Sequence, residues 1–233
     1  MRLTVRAVLP PTVLLFALAG ARAQSLPNLG DEANDDPRGN VHLGTPLVIP
    51  IGDTAKAVHV GYGLNVGGGY NFTRRHAAIA DFTWNHMIPT NEALAAIRAA
   101  LSNPNLNANT DVYAITGNYR FEMRGQTAGG YLIGGGGLYT RRTSLTQQVT
   151  TGGNIVCQPI YQWWGFTCSS GTVTSNQTLA HFSSSSGGGN VGAGFTARVG
   201  EAPYRVFIEA RYHYAPNKYI STQLIDISFG IRY

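Results

Sequence analysis

Few groups in this chain could do chemistry. His59 and His213 fall on alternating segments with the parity of polar positions, and Asn85 sits on a third at a similar height. A histidine so placed would serve as a general base at one end of a sheet. Acyl transfer also needs a nucleophile and an orienting group within hydrogen-bond reach. The segments carrying the two histidines are not neighbours, and no Ser or Asp falls beside either. We therefore read them as a polar rim, and expect no catalytic, cofactor-binding or metal-ligating residue and no enzymatic activity. No Walker loop, HExxH or GxSxG is present. The glycine runs at 67–69, 134–137 and 187–189 do not open a helix after a strand, as a phosphate cradle would require.

Cys157 and Cys168 are the only cysteines. In an exported chain a close, even pair favours a disulfide, worth roughly 2–3 kcal/mol for so short a loop. Free thiols are disfavoured in an oxidising compartment, and a zinc site lacks histidines at finger-like spacing. Inside that expected staple stand Tyr161, Trp163, Trp164 and Phe166. Exposed aromatics of this kind can bind a partner or a glycan; the alternative is that they pack under the loop or dip into a lipid interface.

The remaining chemistry is ionic. Asp81, Glu122, Glu209 and Asp226 share polar parity with Arg120, Arg198, Arg211 and Arg232. Four negative charges meeting four positive ones in a narrow interior must pair, because unpaired burial is strongly unfavourable. This set predicts a salt-bridged lumen.

The elements that must hold these charges are strands. From Val58 to Phe72, Val58, Val60, Tyr62, Leu64, Val66, Tyr70 and Phe72 share one parity, while His59, Gly61, Gly63, Asn65, Gly67, Gly69 and Asn71 share the other. Period two over this length is strand, not helix. The same alternation marks 78–85, 113–122, 190–199, 205–214 and 225–233, and a further strand runs from about Gly129 to Arg141 with its facing left open by Gly134–Gly137. Short turns at 73–76, 124–126 and 200–203 alternate with longer loops at 87–109 and 142–188 and a shorter one at 215–218. Three short turns on one rim, with both termini there too, require four loops opposite and hence eight strands. The first must then lie at 41–51, despite Pro46 and Pro50, which remove ladder donors. One short helix is expected in the loop after Pro89, capped by Asn91, with Leu94, Ile97 and Leu101 on one stripe; a lid over the mouth is one reading and a helical turn decorating the loop is the other.

Outward positions are apolar or aromatic and inward positions are small or polar, the arrangement of a barrel in lipid, which must close because open edges there leave backbone groups unpaired. Tyr70, Phe72, Tyr119, Phe121 and Tyr233 fall near one rim and Trp84, Tyr212 and Tyr214 near the other, as two aromatic girdles would. A lipocalin-type soluble barrel would need an apolar interior. Charged residues are only 12% of the 233, half the usual share of roughly 25%.

The N-terminus carries Arg2 and Arg6, then the apolar run 13–19, then Ala21-Arg22-Ala23. This is the pattern of a cleaved signal peptide over residues 1–23. Without Arg2, Arg6 and Arg22 the chain keeps 14 basic against 12 acidic residues, so no basic patch supports nucleic-acid binding. Residues 24–40, with Asp31, Glu32, Asp35 and Asp36 among Pro and Gly, read as a flexible acidic periplasmic tether, and residues 41–233 as the barrel domain.

The leader, the Gly-Tyr-Asn-Phe-Thr segment at Tyr70 and the ending Ile-Asp-Ile-Ser-Phe-Gly-Ile-Arg-Tyr resemble the small bacterial outer-membrane barrels of the OmpA/OmpX type. The resemblance covers roughly residues 41–233 and departs from that group in the cysteine-stapled loop and in lacking a peptidoglycan-binding domain. It implies an all-β, eight-stranded antiparallel transmembrane up-and-down barrel in the cell outer membrane. It also implies an assembly signal for the barrel-assembly machinery at Ile225, Ile227, Phe229, Ile231 and Tyr233. Expected partners are outer-membrane lipid and an extracellular ligand at the loops; we expect no cofactor and a monomer. Alternatives are a narrow channel for small solutes, a lipid-modifying enzyme and an adhesin.

Overall fold

The computed structural model describes residues 38–233 except 126, 160–165, 201 and 219, with backbone alone at 124 and 150–174. The expected leader (1–23) and nearly all of the tether (24–37) lie outside the described residues, as do Tyr161, Trp163 and Trp164.

Eight antiparallel strands close into one ring in chain order: β1 (Gly39–Pro50), β2 (Gly61–Asn71), β3 (His76–Met87), β4 (Leu106–Arg124), β5 (Ala128–Pro159), β6 (Phe166–Arg198), β7 (Arg205–Ala215) and β8 (Thr222–Arg232). Two short helices, α1 (Gly52–Ala57) and α2 (Asn91–Ala100), lie in the first two loops of one rim. The up-and-down ring is the one expected from alternation and turn spacing. Eleven tilted residues, as in β8, reach about 25 Å, the height of a barrel's apolar band.

Period-two alternation is visible in burial. β1, β3 and β7 alternate buried and exposed residues almost without exception. The exposed members are apolar on every strand: Leu43, Leu64, Phe82, Ile115, Leu132, Phe195, Ile208 and Phe229 among them, with Phe195 70% and Ile115 64% exposed. Their inward neighbours are Asn, Asp, Thr, Arg, Glu and His. In water so continuous an apolar belt would aggregate; against lipid it is the surface a spanning barrel requires.

Pro46 and Pro50 do not break β1. It pairs with β8 from His42↔Arg232 to Pro50↔Leu224, and Val41 and Tyr233 exchange backbone bonds, so the ring closes. The β1–β2 ladder skips Thr45 and Pro46, and there the Thr45 hydroxyl donates to the Gly63 carbonyl at 2.9 Å. The proline's missing N–H therefore falls where a side chain substitutes for the ladder. β1 also starts at Gly39, two residues inside the segment expected as tether.

Three local expectations differ. β2 starts at Gly61, because α1 occupies 52–57; Val58 is buried and His59 exposed, the reverse of the parity reading. The N-cap of α2 is Thr90, whose hydroxyl accepts from Ala93 N, with Asn91 the first helical residue. None of the residues of α2 is buried and Leu101 is 55% exposed, so the helix decorates the rim. The largest difference is at 142–188, expected as a loop. There β5 and β6 remain paired from Arg142↔Ser183 to Pro159↔Phe166. Ser and Gly runs read as loop punctuation, yet Thr, Val and Gln between them suit a pleated ladder once two such segments are tethered as a hairpin.

Candidate functional site

The inside of the ring is built in layers. The facing of β5 is now fixed: Tyr131, Ile133 and Tyr139 point inward, Leu132 and Leu138 outward. Interior room for these side chains and the charges comes from glycine. A Cβ at Gly67 would lie 2.0 Å from Asp81 Oδ1 and 2.3 Å from His42 Cε1.

In the middle layer Asp81 is the hub. Arg211 Nη1 donates to its Oδ2 at 2.7 Å and Asn118 Nδ2 to the same oxygen at 2.8 Å. His42 Nε2 lies 3.2 Å from Asp81 Oδ1 and 2.8 Å from Asn65 Oδ1. Arg211 also reaches Glu209, Nη2 to Oε1 at 2.6 Å, and Glu209 accepts from the Tyr131 hydroxyl at 2.9 Å. Asn190 donates to Asn118 at 2.9 Å and so ties β6 into the same web.

The layer toward the strand ends joined by short turns centres on Glu122. It faces Arg120 at 3.4 Å and Arg232 at 3.5 Å and accepts from Thr196 at 3.4 Å. The Arg232 guanidinium stacks over Tyr131 at 4.6 Å and Phe207 at 5.4 Å. Toward the helix-bearing rim, Asp226 accepts from Asn85 at 2.9 Å and lies 3.4 Å from His213, whose Nδ1 is 2.9 Å from the Tyr139 hydroxyl.

Above these polar layers sits an apolar one. Val48, Val58, Met87, Val112 and Leu224 form a buried cluster with Ala57 packed on it. The loop carrying α1 is stitched down over it. Thr54 Oγ1 donates to Ser221 O at 2.9 Å and accepts from Gln223 N at 3.0 Å. Val58 bridges to Pro89, and Thr90 N donates to Ala57 O at 2.9 Å, so the first two loops of the rim are joined. On the exposed face of α1, the Lys56 ammonium donates to Asp53 and holds its carboxyl below the ordinary range.

Seven of the eight expected lumen charges, Asp81, Arg120, Glu122, Glu209, Arg211, Asp226 and Arg232, are buried inside the ring. Arg198 is not: it stands exposed at the end of β6. Arg205, buried at the start of β7, restores the balance of four arginines to four carboxylates. Parity with Glu209 in the sequence already marked it. His42 was hidden by the prolines of β1, which obscured that strand's inward face. His59 and His213 do not meet, because His59 is outside the strand and exposed while His213 is buried against Tyr139 and Asp226. Of the terminal residues, Phe229, Ile231 and Tyr233 are exposed on the outer face of β8 and Ile225 and Ile227 partly so.

Cys157 and Cys168 stand directly opposite each other in the β5–β6 register. Pairing of β4 with β5 ends at Leu106↔Gln147, beyond which β5 and β6 continue as a two-stranded hairpin. From Gln148 to Pro159 this projection is about 35–40 Å along its strands. Phe166, expected at the loop's recognition cluster, begins β6.

No family model matches the chain, and no curated protein is similar to it. Among solved structures it is similar to Neisserial surface protein A (15% identity, 84% of this chain and 96% of that one, TM-score 0.49). It is also similar to Ail, the attachment invasion locus protein of Yersinia pestis (14%, 84% and 96%, TM-score 0.41). A third similar structure is the N-terminal β-barrel domain of Pseudomonas aeruginosa OprF (11%, 84% and 96%, TM-score 0.38). The strand count and closure described above rest on this chain's own ladders.

Proposed function

We propose that this protein is a non-enzymatic outer-membrane barrel that displays a long hairpin at the cell surface. The observation that carries this is the inversion of the ring: an apolar exterior on all eight strands around an interior filled with paired charges. Eight strands leave an interior just wide enough for side chains. Here that interior is occupied by the charge layers and sealed at one rim by the Val48–Leu224 cluster. The lumen is thus a structural plug, and the solute-channel reading loses its support. Export by a cleaved leader, insertion through the terminal strand and a Cys157–Cys168 staple complete the reading; the facing of the two cysteines across the hairpin supports the last.

Detergent-refolded protein should migrate faster unboiled than boiled, and should add no conductance steps to a planar bilayer. Equal mobility together with solubility in plain buffer would refute the membrane barrel. Steady ion conductance would refute the plug and restore the channel.

A further inference from the structure

The rim of short turns is lined by arginine. Arg38 precedes β1, Arg74 and Arg75 occupy the β2–β3 turn, Arg124 ends β4 and Arg198 ends β6. Backbone bonds set these positions side by side along one arc. Asn71 N donates to Arg38 O at 2.7 Å, Glu122 N to Arg75 O at 2.7 Å and Arg198 N to Thr127 O at 2.8 Å. Arg38, Arg74, Arg75 and Arg198 are exposed. Among the described residues of this rim no acidic side chain is exposed: Glu122 is buried in the lumen, and Glu201 of the β6–β7 turn lies outside the described residues. Next to the arc, on the barrel's outer wall, Tyr70, Phe72, Tyr119, Tyr204 and Tyr233 are exposed, with the Tyr70 and Phe72 rings 5.7 Å apart. Such a girdle sits at headgroup depth, which sets Arg74, two residues past Phe72, at the level of the lipid phosphates.

We propose that this arc binds the phosphates of anionic phospholipids in the leaflet it faces. The proposal rests on the outer-membrane barrel above, which makes that leaflet the periplasmic one. The chemistry of the arc selects the head. Its cations are all arginine, whereas the chain's two lysines, Lys56 and Lys218, belong to the opposite rim. A guanidinium meets a phosphate with two parallel donors, and it stays charged throughout the accessible pH range. Neighbouring arginines with no exposed acid between them repel one another, and a net negative head placed between them relieves that repulsion. A zwitterionic head brings its own ammonium and cancels much of the gain. Phosphatidylglycerol is therefore held in preference to phosphatidylcholine, by the same attraction that draws basic segments to anionic membrane surfaces.

The test is electron spin resonance of the refolded full chain in phosphatidylcholine vesicles, with trace spin-labelled phosphatidylglycerol or phosphatidylcholine. The readout is the ratio of the two lipids in the motionally restricted shell around the protein. The wild type should favour phosphatidylglycerol about threefold, falling toward parity in about 0.5 M salt. R38Q/R75Q/R198Q should lose most of that preference, whereas K56Q/K218Q on the opposite rim should keep it. Unboiled gel mobility, unchanged in both variants, separates loss of lipid preference from loss of the barrel. A wild-type ratio of one, or a preference that survives R38Q/R75Q/R198Q or vanishes in K56Q/K218Q, would overturn the proposal. So would a preference that emerges only after Asp31, Glu32, Asp35 and Asp36 are made neutral, since the occupant would then be the chain's own carboxylates. A protein that restricts no lipid of either kind would refute the membrane barrel itself, whereas a restricted shell without preference would refute the lipid site alone.

Discussion

The charge hub at Asp81 gives the sharpest test of the plugged lumen. Replacing Arg211 by Met keeps much of the side-chain volume and removes the cation that bridges Asp81 at 2.7 Å and Glu209 at 2.6 Å. Two carboxylates would then remain in a layer where each is 5% exposed or less, with the His42 imidazole 3.2 Å from Asp81. Breaking a buried pair from one side typically costs about 3–5 kcal/mol, because the uncompensated charge stays behind. D81N is milder. Arg211 keeps Glu209, and the amide can still engage Asn118, so about 1.5–3 kcal/mol is expected, in the range of a lost charge-assisted hydrogen bond. The double variant R211M/D81N removes the cation together with one of the two charges it served. Its cost should fall short of the sum of the single costs by about 1–3 kcal/mol, the coupling expected of residues in one network. Equilibrium urea unfolding in lipid vesicles, followed by tryptophan fluorescence and by unboiled gel mobility, reads all four proteins. Strictly additive costs, or R211M as stable as the wild type, would refute the view that these groups act as one buried network.

Other consequences are simpler to check. G67A should lower the urea midpoint by the equivalent of about 1–3 kcal/mol, since its Cβ would meet Asp81 Oδ1 at 2.0 Å, whereas G117A, with nothing within 4 Å, should be neutral or raise it by up to about 1 kcal/mol. T54A removes the two side-chain bonds that tie the α1 loop to Ser221 and Gln223 and leaves the backbone bond from Ile51 N to Gln223 O, so amide exchange at 51–58 should accelerate while gel mobility is unchanged and the bilayer stays silent, because the charge layers lie beneath the apolar cap. T90A deletes the cap of α2 and should cost about 1 kcal/mol locally, seen as loss of protection at Ala93 and no change in the barrel ladder. If Cys157 and Cys168 are joined as proposed, protease cleavage between them should leave one band without reductant and two with it; two bands in both lanes would remove the staple.

The sequence by itself determined the strand architecture. Alternation from Leu64 to Tyr70 or from Val206 to Tyr214 is a local property: side chains of a strand must leave on opposite faces, so parity reads out which face meets lipid. Turn spacing determined the number of strands, and parity alone pointed inward the seven of the eight expected lumen charges that the structure buries. The rest needed the tertiary structure because it depends on contacts between distant segments. Pro46 is tolerated in β1 only because Thr45 reaches the Gly63 carbonyl across the barrel wall. Val58 turns inward, against its parity, because α1 folds over the mouth and is bonded to β8 more than 160 positions away. The segment 142–188 is strand because β5 and β6 satisfy each other's backbone, a choice that neither Ser-rich half reveals alone. Facing on β5, where four glycines erase parity at 134–137, was decided by which side had room for Tyr131 and Tyr139. Local periodicity is written residue by residue, whereas closure, capping and pairing are settled only when separate strands compete for the same space and the same hydrogen bonds.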